Sequence, residues 1–147
     1  MERDYIPNDI GEFNRLLKFF NDASDTLKYP RMRLQLGDYK FAVLVRVAKG
    51  KFPGSIRITD GNDNSILFGF IGLNGQWIPT HHKLSRWVYK ELKKLLNSTP
   101  SKLKAYSDIW SKCCFCNKDL TDYNSIKVGY GETCSKNWKI HNQWKRK

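Results

Sequence analysis

Apolar residues near the N-terminus recur every three or four positions, which is the spacing of one face of a helix. This apolar stripe consists of Ile10, Phe13, Leu16, Leu17 and Phe20. Asp9 and Glu12 precede it with the spacing of a capping box, in which each side chain bonds an early backbone amide. We therefore predict a helix that runs to about Leu27, where Tyr29-Pro30 stops it.

The following part of the chain alternates apolar and polar residues with the two-residue period of half-buried strands. The predicted strands cover residues 32–36, 39–47, 55–59, 66–71 and 77–78. In the first, Gln35 falls on the polar face, and in the third, Ile56 and Ile58 face inward. The segment 39–47 is apolar on both faces, so we predict it as the central strand. Turn-forming residues at 60–64 and 72–75 complete an antiparallel meander of four or five strands.

A second helix is predicted from His81 to Leu96, with Thr80 as its cap. Its apolar face combines Leu84, Trp87, Val88, Leu92, Leu95 and Leu96. Its other face is basic, and these residues are Lys83, Arg86, Lys90, Lys93 and Lys94. Only Glu91 interrupts the positive charge. Such a face can lie along a phosphate backbone without contacting bases, and an ordinary solvated surface is the alternative.

The stretch 97–101 has the composition of a linker, and we place a domain boundary there. Residues 1–100 form a basic α+β domain in which two helices pack on the sheet. Residues 101–147 form a small metal-binding module with a basic tail. Leu103, Tyr106 and Trp110 fit a short connecting helix that docks this module onto the first domain.

The segment 113–138 contains all four cysteines of the chain. Cys113 and Cys116 form a C-x-x-C turn that presents two thiolates to one ion, and Cys134 returns after a polar excursion of hairpin length. A segment this short cannot bury enough apolar surface to fold alone, so it needs a metal ion or a disulfide to stabilise it. Zinc fits best, in a zinc-ribbon or treble-clef-like module. Disulfides would need an oxidising compartment, and the polar N-terminus carries no secretory signal.

The fourth zinc ligand has several candidates. His141 lies seven residues after Cys134, two turns along if the helix that begins near Cys134 persists. Cys114 is a rival, although a residue between two ligands of a turn usually points away. Asn137 and a bound water are further candidates. Sulfur-rich ligation without a second histidine or a glutamate favours a structural ion over a hydrolytic one.

The motif CxFC followed by LTDxxSIxxGYGxxC resembles a zinc-ribbon-type module of unknown function found in bacteriophage and some bacterial proteins. The matching residues are Cys113, Phe115, Cys116, Leu120, Thr121, Asp122, Ser125, Ile126, Gly129, Tyr130, Gly131 and Cys134. The resemblance covers about the last quarter of the chain and implies metal binding and a viral setting. It supplies no catalytic residues.

The chain of 147 residues has a net charge of +12 and a pI near 9.6, which favours an anionic partner, most simply DNA or RNA. Two further segments combine basic and aromatic residues: a hairpin loop with Lys49, Lys51 and Phe52, and the C-terminal tail. The candidate contacts in the tail are Lys136, Lys139, Trp144, Lys145 and Arg146. No apolar run is long enough to cross a bilayer, so we expect a cytoplasmic protein, in the host cell if it is viral.

Motifs of common enzyme classes are absent from the sequence, including a P-loop, a dinucleotide-binding glycine pattern, H-E-x-x-H and the H-x-E of zinc deaminases. The adjacent His81 and His82 have no carboxylate beside them and are interpreted as surface or helix-start residues. We therefore predict a non-catalytic, zinc-containing nucleic-acid-binding protein. The alternative is a phage effector that binds and inhibits a host protein, such as RNA polymerase or a defence enzyme. Oligomeric state is left open.

Overall fold

The computed structural model describes residues 13–36, 40–47, 53–61, 66–98 and 101–144. The helices and strands within these ranges are α1 (Asn14–Ala23), β1 (Arg31–Leu36), β2 (Lys40–Arg46), β3 (Ile56–Asp60), β4 (Leu67–Ile71), β5 (Trp77–Pro79), α2 (Ser85–Ser98), α3 (Ser101–Trp110), α4 (Tyr123–Val128), α5 (Glu132–Asn137) and α6 (His141–Trp144). Among the helices of these ranges, none has the length and apolar character required to cross a bilayer.

The five strands form one antiparallel sheet in the order β1-β2-β3-β4-β5, which confirms the predicted α+β meander. The prediction that residues 39–47 form the central strand was wrong, because β2 lies second and β3 is central. The turn between β4 and β5 is closed by the amide of Gly72, which donates to the carbonyl of Gln76 at 2.9 Å. Short connections of this kind place consecutive strands side by side.

One face of the sheet carries most of the core. The register sets Met32 opposite Leu44 and Leu44 opposite Ile58, so these side chains share a face, and all three are fully buried. Ile56 and Ile58 point inward, as predicted. The helices α1 and α2 meet near β5, where the ring of Phe13 lies 6.5 Å from Trp77 and 6.0 Å from Tyr89. The described residues of both apolar stripes therefore join the same core as the sheet.

The first helix ends earlier than predicted. It stops at Ala23 and the chain then continues as a turn, in which the amide of Leu27 donates to Ala23 at 2.9 Å. The hydroxyl of Ser24 donates to the carbonyl of Phe20 at 3.0 Å. Serine, aspartate and threonine side chains compete for backbone groups in this way, and residues 24–26 are of these types. The predicted cap, Asp9 and Glu12, lies outside the described residues.

The second helix begins at Ser85, four residues later than predicted, and Thr80 does not cap it. The hydroxyl of Thr80 instead donates to the carbonyl of Leu67 at 2.8 Å, and the Ser85 hydroxyl donates to Phe68 at 2.6 Å. These bonds tie the connection to β4, so the chain cannot turn into a helix at once. Val88 and Leu92 are fully buried as predicted, whereas the side chains of Leu95 and Leu96 lie outside the described part.

The neighbouring histidines belong to this connection. His82 Nδ1 accepts the amide proton of Leu84 at 3.0 Å, and its ring lies edge-on to Phe68 at 5.5 Å. His81 is exposed. His82 therefore has a structural position beside β4.

The third helix covers part of the other face of the sheet and packs against β1. The rings of Tyr106 and Trp110 lie 5.0 and 5.3 Å from the ring of Phe41. Gln35, which the alternation assigned to a polar face, is only 6% exposed, and its Oε1 accepts a hydrogen bond from Trp110 Nε1 at 2.9 Å. The predicted connecting helix thus docks through Tyr106 and Trp110, while the side chain of Leu103 lies outside the described residues.

The cysteine-containing segment packs directly on α1. Trp138 is buried, and its ring lies 4.9 Å from both Phe19 and Phe20 and stacks on Phe115 at 4.4 Å. The backbone amide of Arg33 in β1 donates to the carbonyl of Cys114 at 2.7 Å. These contacts cross the boundary proposed near residue 100, which itself stays a prediction.

We expect Phe20→Ala to lower the free energy of unfolding by about 3 to 5 kcal/mol, because it removes a fully buried ring between α1 and Trp138. Urea denaturation followed by tryptophan fluorescence measures this change. Tyr123→Ala is the matched control, since Tyr123 is 72% exposed and its loss should cost about 0.5 kcal/mol or less. Equal losses in the two variants would contradict the packing described above.

Candidate metal centre

The first two candidate ligands lie on a tight turn. The amides of Phe115 and Cys116 point at Cys113 Sγ, at 3.4 and 3.5 Å. The amide of Asn117 donates to the carbonyl of Cys113 at 2.9 Å, and Asn117 has a positive φ of 64°. Asparagine tolerates this left-handed conformation better than most residues. The turn therefore presents a sulfur to backbone N–H groups, which stabilise a thiolate.

The segment between Cys116 and Cys134, which was predicted to have the length of a hairpin, contains the helix α4. Asp122 Oδ2 accepts the amide proton of Ser125 at 3.0 Å and so caps α4, while Gly129 ends that helix with a φ of 96°. An aspartate cap followed by a glycine in the left-handed conformation is a recognisable helix signature, and it was present in the sequence. The described residues thus lack the hairpin that a zinc ribbon places between its ligands.

The third candidate ligand stands at the beginning of α5. Gly131 occupies the N-cap position of this helix, so Cys134 falls in its first turn, as predicted. The sulfur atoms of Cys113, Cys116 and Cys134 all lie within 4.8 Å of one another. Because a zinc ion holds thiolate sulfurs at about 2.3 Å, three sulfurs this close can share one ion after a small adjustment. The three predicted cysteines could therefore hold a metal ion.

The side chains of Cys113 and Cys134 are close enough to interact through one proton. This contact and the amides of Cys116, Gly131 and Phe115 lower the pKa of Cys113 to about 5, against the effect of burial. The same contact and burial raise the pKa of Cys134. Two adjacent thiolates repel each other unless a cation lies between them. A metal ion bound by both sulfurs would therefore replace this proton.

The guanidinium of Arg33 contacts the turn that contains Cys113 and Cys116. Arg33 is half-buried, and its Nη1 donates to the carbonyl of Phe115 at 2.9 Å. Burial lowers the pKa of Arg33, while Cys113 and Cys116 act in the opposite direction, as expected for a cation close to thiolates. Arg33 therefore offsets part of the negative charge that deprotonated sulfurs bring.

Cys114 stands apart from the three clustered sulfurs. It is fully buried, and burial raises the pKa of its thiol well above the ordinary value. Its backbone forms two hydrogen bonds. Its carbonyl accepts the amide proton of Arg33, and its amide donates to the carbonyl of Gly129 at 3.1 Å. Cys114 thus has a packing role rather than a place in the cluster, as expected for a residue between two ligands.

The structure does not bring His141 to the sulfurs. The argument for this ligand required α5 to persist, but the helix ends at Asn137 and Lys139 reverses the chain with a φ of 60°. His141 Nδ1 instead lies 2.9 Å from Ser135 Oγ, and its ring stacks on Trp144 at 5.4 Å. Among the residues described, the metal-binding group is limited to the three cysteines.

The three cysteines line an open pocket of about 430 Å³. Leu27 and Tyr29, which follow α1, contribute to its lining, as do Trp138 and Asn137 of the cysteine-containing segment. Cys116 is exposed, whereas Cys113 and Cys134 are buried. No sequence pattern indicates this pocket, because residues that are more than eighty positions apart line it.

The predicted nucleic-acid contacts are divided between α2, the C-terminal segment and undescribed parts of the chain. Lys83, Lys90, Lys93 and Lys94 are exposed and Arg86 is half-buried. Lys94 Nζ lies 2.9 Å from Glu91, and Lys93 Nζ lies 5.2 Å from the ring centre of Tyr89. The basic side chains near α2 thus reach solvent as the sequence suggested, although Glu91 engages one of them.

The candidates in the C-terminal segment have partners within the chain. Lys136 forms an ion pair with Glu132 and Lys139 with Asp25, both at 3.4 Å. Trp144 Nε1 donates to the hydroxyl of Ser125 at 3.1 Å, which holds the indole against α4. The remaining candidates, Lys49, Lys51, Lys145 and Arg146, lie outside the described residues.

A family of unknown function, DUF6011, matches residues 110–139 of this chain. The match covers the three clustered cysteines and the helices α4 and α5, and it is a similarity of this segment alone. No curated protein and no solved structure matches the chain.

We expect the reduced chain to bind one divalent metal ion, and Cys113→Ser, Cys116→Ser and Cys134→Ser each to lose it, because each removes one of three converging sulfurs. Metal analysis after gel filtration gives the stoichiometry. Cys114→Ala is the control, since this buried thiol lies outside the cluster, and the variant should keep the metal. Loss of metal in Cys114→Ala, with metal retained in the three serine variants, would contradict this assignment.

Asp122→Ala should lower the free energy of unfolding by about 1 kcal/mol, whereas Asp122→Asn should nearly retain it, because asparagine also caps a helix. The hydrogen bond to Ser125 lowers the pKa of Asp122. A carboxylate with a lowered pKa stabilises the fold above its unfolded-state pKa and ceases to do so as the pH falls through the folded-state pKa. The difference between wild type and Asp122→Ala, measured by urea denaturation, should therefore shrink on acidification. A difference that is independent of pH would contradict the capping role.

Proposed function

We propose that this chain is a zinc-containing protein that binds DNA or RNA and carries out no catalysis. The resemblance of its cysteine motif suggests a bacteriophage setting, in the cytoplasm of the host cell. The observation that carries the proposal is the exposed basic surface near α2, with Lys83, Lys90 and Lys93 in solvent. Its physical basis is that phosphate contacts from lysine and arginine provide most sequence-independent affinity for nucleic acids.

The net charge of +12 supports this proposal from the whole chain. A field of one sign accelerates the approach of a polyanion and keeps it near the surface. Between residues 83 and 94 the sequence has five basic residues and one acidic residue, Glu91, so this segment contributes four positive charges to that total.

In this proposal the metal is zinc and its role is structural. Three thiolates favour zinc over harder cations such as magnesium or calcium. The ion would hold the turn at Cys113 and the start of α5 together, and so fix the surface that packs on α1. A segment of this size gains much of its folding free energy from such an ion.

A host protein as partner is the second candidate, and specific exposed residues favour it. Ile109 and Trp110 in α3 and Tyr123 and Ile126 in α4 are large apolar side chains that are 38 to 72% exposed. The two helices contact each other, so these residues belong to neighbouring elements. A protein partner held by such residues would stay bound at moderate salt.

The nucleic-acid proposal predicts that the zinc-loaded chain binds labelled DNA or RNA with an affinity that falls steeply with salt, because bound counterions are released. Replacing Lys83, Lys90 and Lys93 by glutamine should weaken binding at least about tenfold at 0.1 M salt, and should reduce the duplex-DNA salt slope by up to about 3. Fluorescence anisotropy across a salt series measures both quantities.

The control replaces Lys18, Lys28 and Lys104 by glutamine, which removes the same charge from α1, the turn after it and α3. This variant should bind more tightly than the α2 variant. Equal weakening of both would show that total charge, rather than the α2 surface, determines binding. No binding to any nucleic acid at low salt would overturn the proposal and favour the protein partner.

A further inference from the structure

The three clustered sulfurs leave one ligand position of a tetrahedral ion to be filled. Among the described residues, histidine, cysteine and carboxylate side chains add no fourth member to the group. Closed structural zinc sites have four protein ligands, whereas sites with three keep a position for water or for another molecule. The cluster lines a pocket rather than a closed core.

The carboxylates that line this pocket are held by other groups. Asp119 pairs with Lys112 at 2.7 Å, Asp122 caps α4, and Glu132 lies 3.4 Å from Lys136. Asn137 also lines the pocket, but amide oxygens are uncommon zinc ligands beside thiolate, imidazole and carboxylate. The chain thus offers no strong donor of its own at this position within its described part.

The pocket has the size and lining for a small organic ligand. Its volume of about 430 Å³ falls in the usual range of small-molecule sites. Leu27, Tyr29 and Trp138 give it apolar walls, and its charged lining residues are of both signs: Arg31 and Lys118 beside Asp119, Asp122 and Glu132. The apolar walls suit a small molecule with an apolar body, and the three sulfurs suit a soft donor atom.

We infer that the fourth position of the zinc ion is exchangeable, and that a low-molecular-mass thiol enters this pocket and binds the metal through its sulfur. The inference rests on the zinc of the proposed function. A soft thiolate matches the three sulfurs already present. A bound thiol loses its proton to solvent, so that RSH and Zn–OH2 give Zn–SR, water and one H⁺. Arg33, which interacts electrostatically with Cys113 and Cys116, offsets part of the added negative charge.

The test uses the full chain loaded with Co²⁺, whose absorption reports its ligands. Titration with 2-mercaptoethanol should shift the visible bands and raise the sulfur-to-cobalt charge-transfer absorption by about one third, because the sulfur ligands increase from three to four. In weak buffer, about one proton should be released for each thiol bound. Imidazole, titrated in parallel, should bind more weakly if the site prefers sulfur.

Two variants narrow the pocket without changing a ligand. Thr133→Tyr and Leu27→Trp place larger side chains at lining positions, and each should weaken thiol binding about tenfold or more while cobalt uptake persists. Thr26→Tyr is the control, since Thr26 is exposed and lies outside the lining, and it should bind thiol like the wild type. Two lining positions are substituted separately, so that the test still gives a result if one of the variants fails to fold.

Asn137→Ala distinguishes an internal fourth ligand from an exchangeable one. The cobalt spectrum of this variant without thiol should equal that of the wild type. A changed spectrum, or a wild-type spectrum that stays constant up to high thiol concentrations, would overturn the inference and leave the proposed function standing. A chain that binds no cobalt and no zinc would overturn the inference and the zinc of the proposed function, whereas nucleic-acid binding is measured separately.

Discussion

The contact of Trp138 with Phe19, Phe20 and Phe115 is the interaction on which the C-terminal part of this chain depends. The segment that contains the cysteines is too short to bury a core of its own, so its folding needs support from outside or from an ion. The aromatic contacts with α1 provide support from outside the segment. The three sulfurs provide the donor atoms for an ion. A metal ion held by the three cysteines would thereby be coupled to the packing of α1 through one indole ring.

The parts of the fold that follow from short-range periodicity could be predicted from the sequence. The alternation at Ile56, Arg57 and Ile58 predicted a strand with two buried residues, and the turn residues at 72–75 predicted the connection between β4 and β5. Helix ends were harder, because they depend on local competition. The hydroxyls of Thr80 and Ser85 bond the carbonyls of β4, and this delays the start of α2 in a way that no spacing reveals.

The candidate metal site, like the fold, could be predicted from the sequence only in part. The C-x-x-C spacing and the glycines before Cys134 were enough to predict three converging cysteines. The fourth ligand was not predictable, because the seven-residue spacing of His141 held only for a continuous helix, and Lys139 interrupts it. The burial of Gln35 and the lining of the pocket by Leu27 and Tyr29 arise from elements distant in sequence. Such contacts leave no periodic signal in either segment.

The hydrogen bond from Arg33 to Cys114 has a consequence for the solubility of the protein. β1 is an edge strand, and its outward N–H groups would otherwise be open to pairing with a strand of another molecule. The cysteine turn lies against this edge and takes up the amide of Arg33. If the three cysteines hold a metal ion, loss of that ion would loosen the turn and free this part of the edge. Metal occupancy would then influence aggregation as well as local shape.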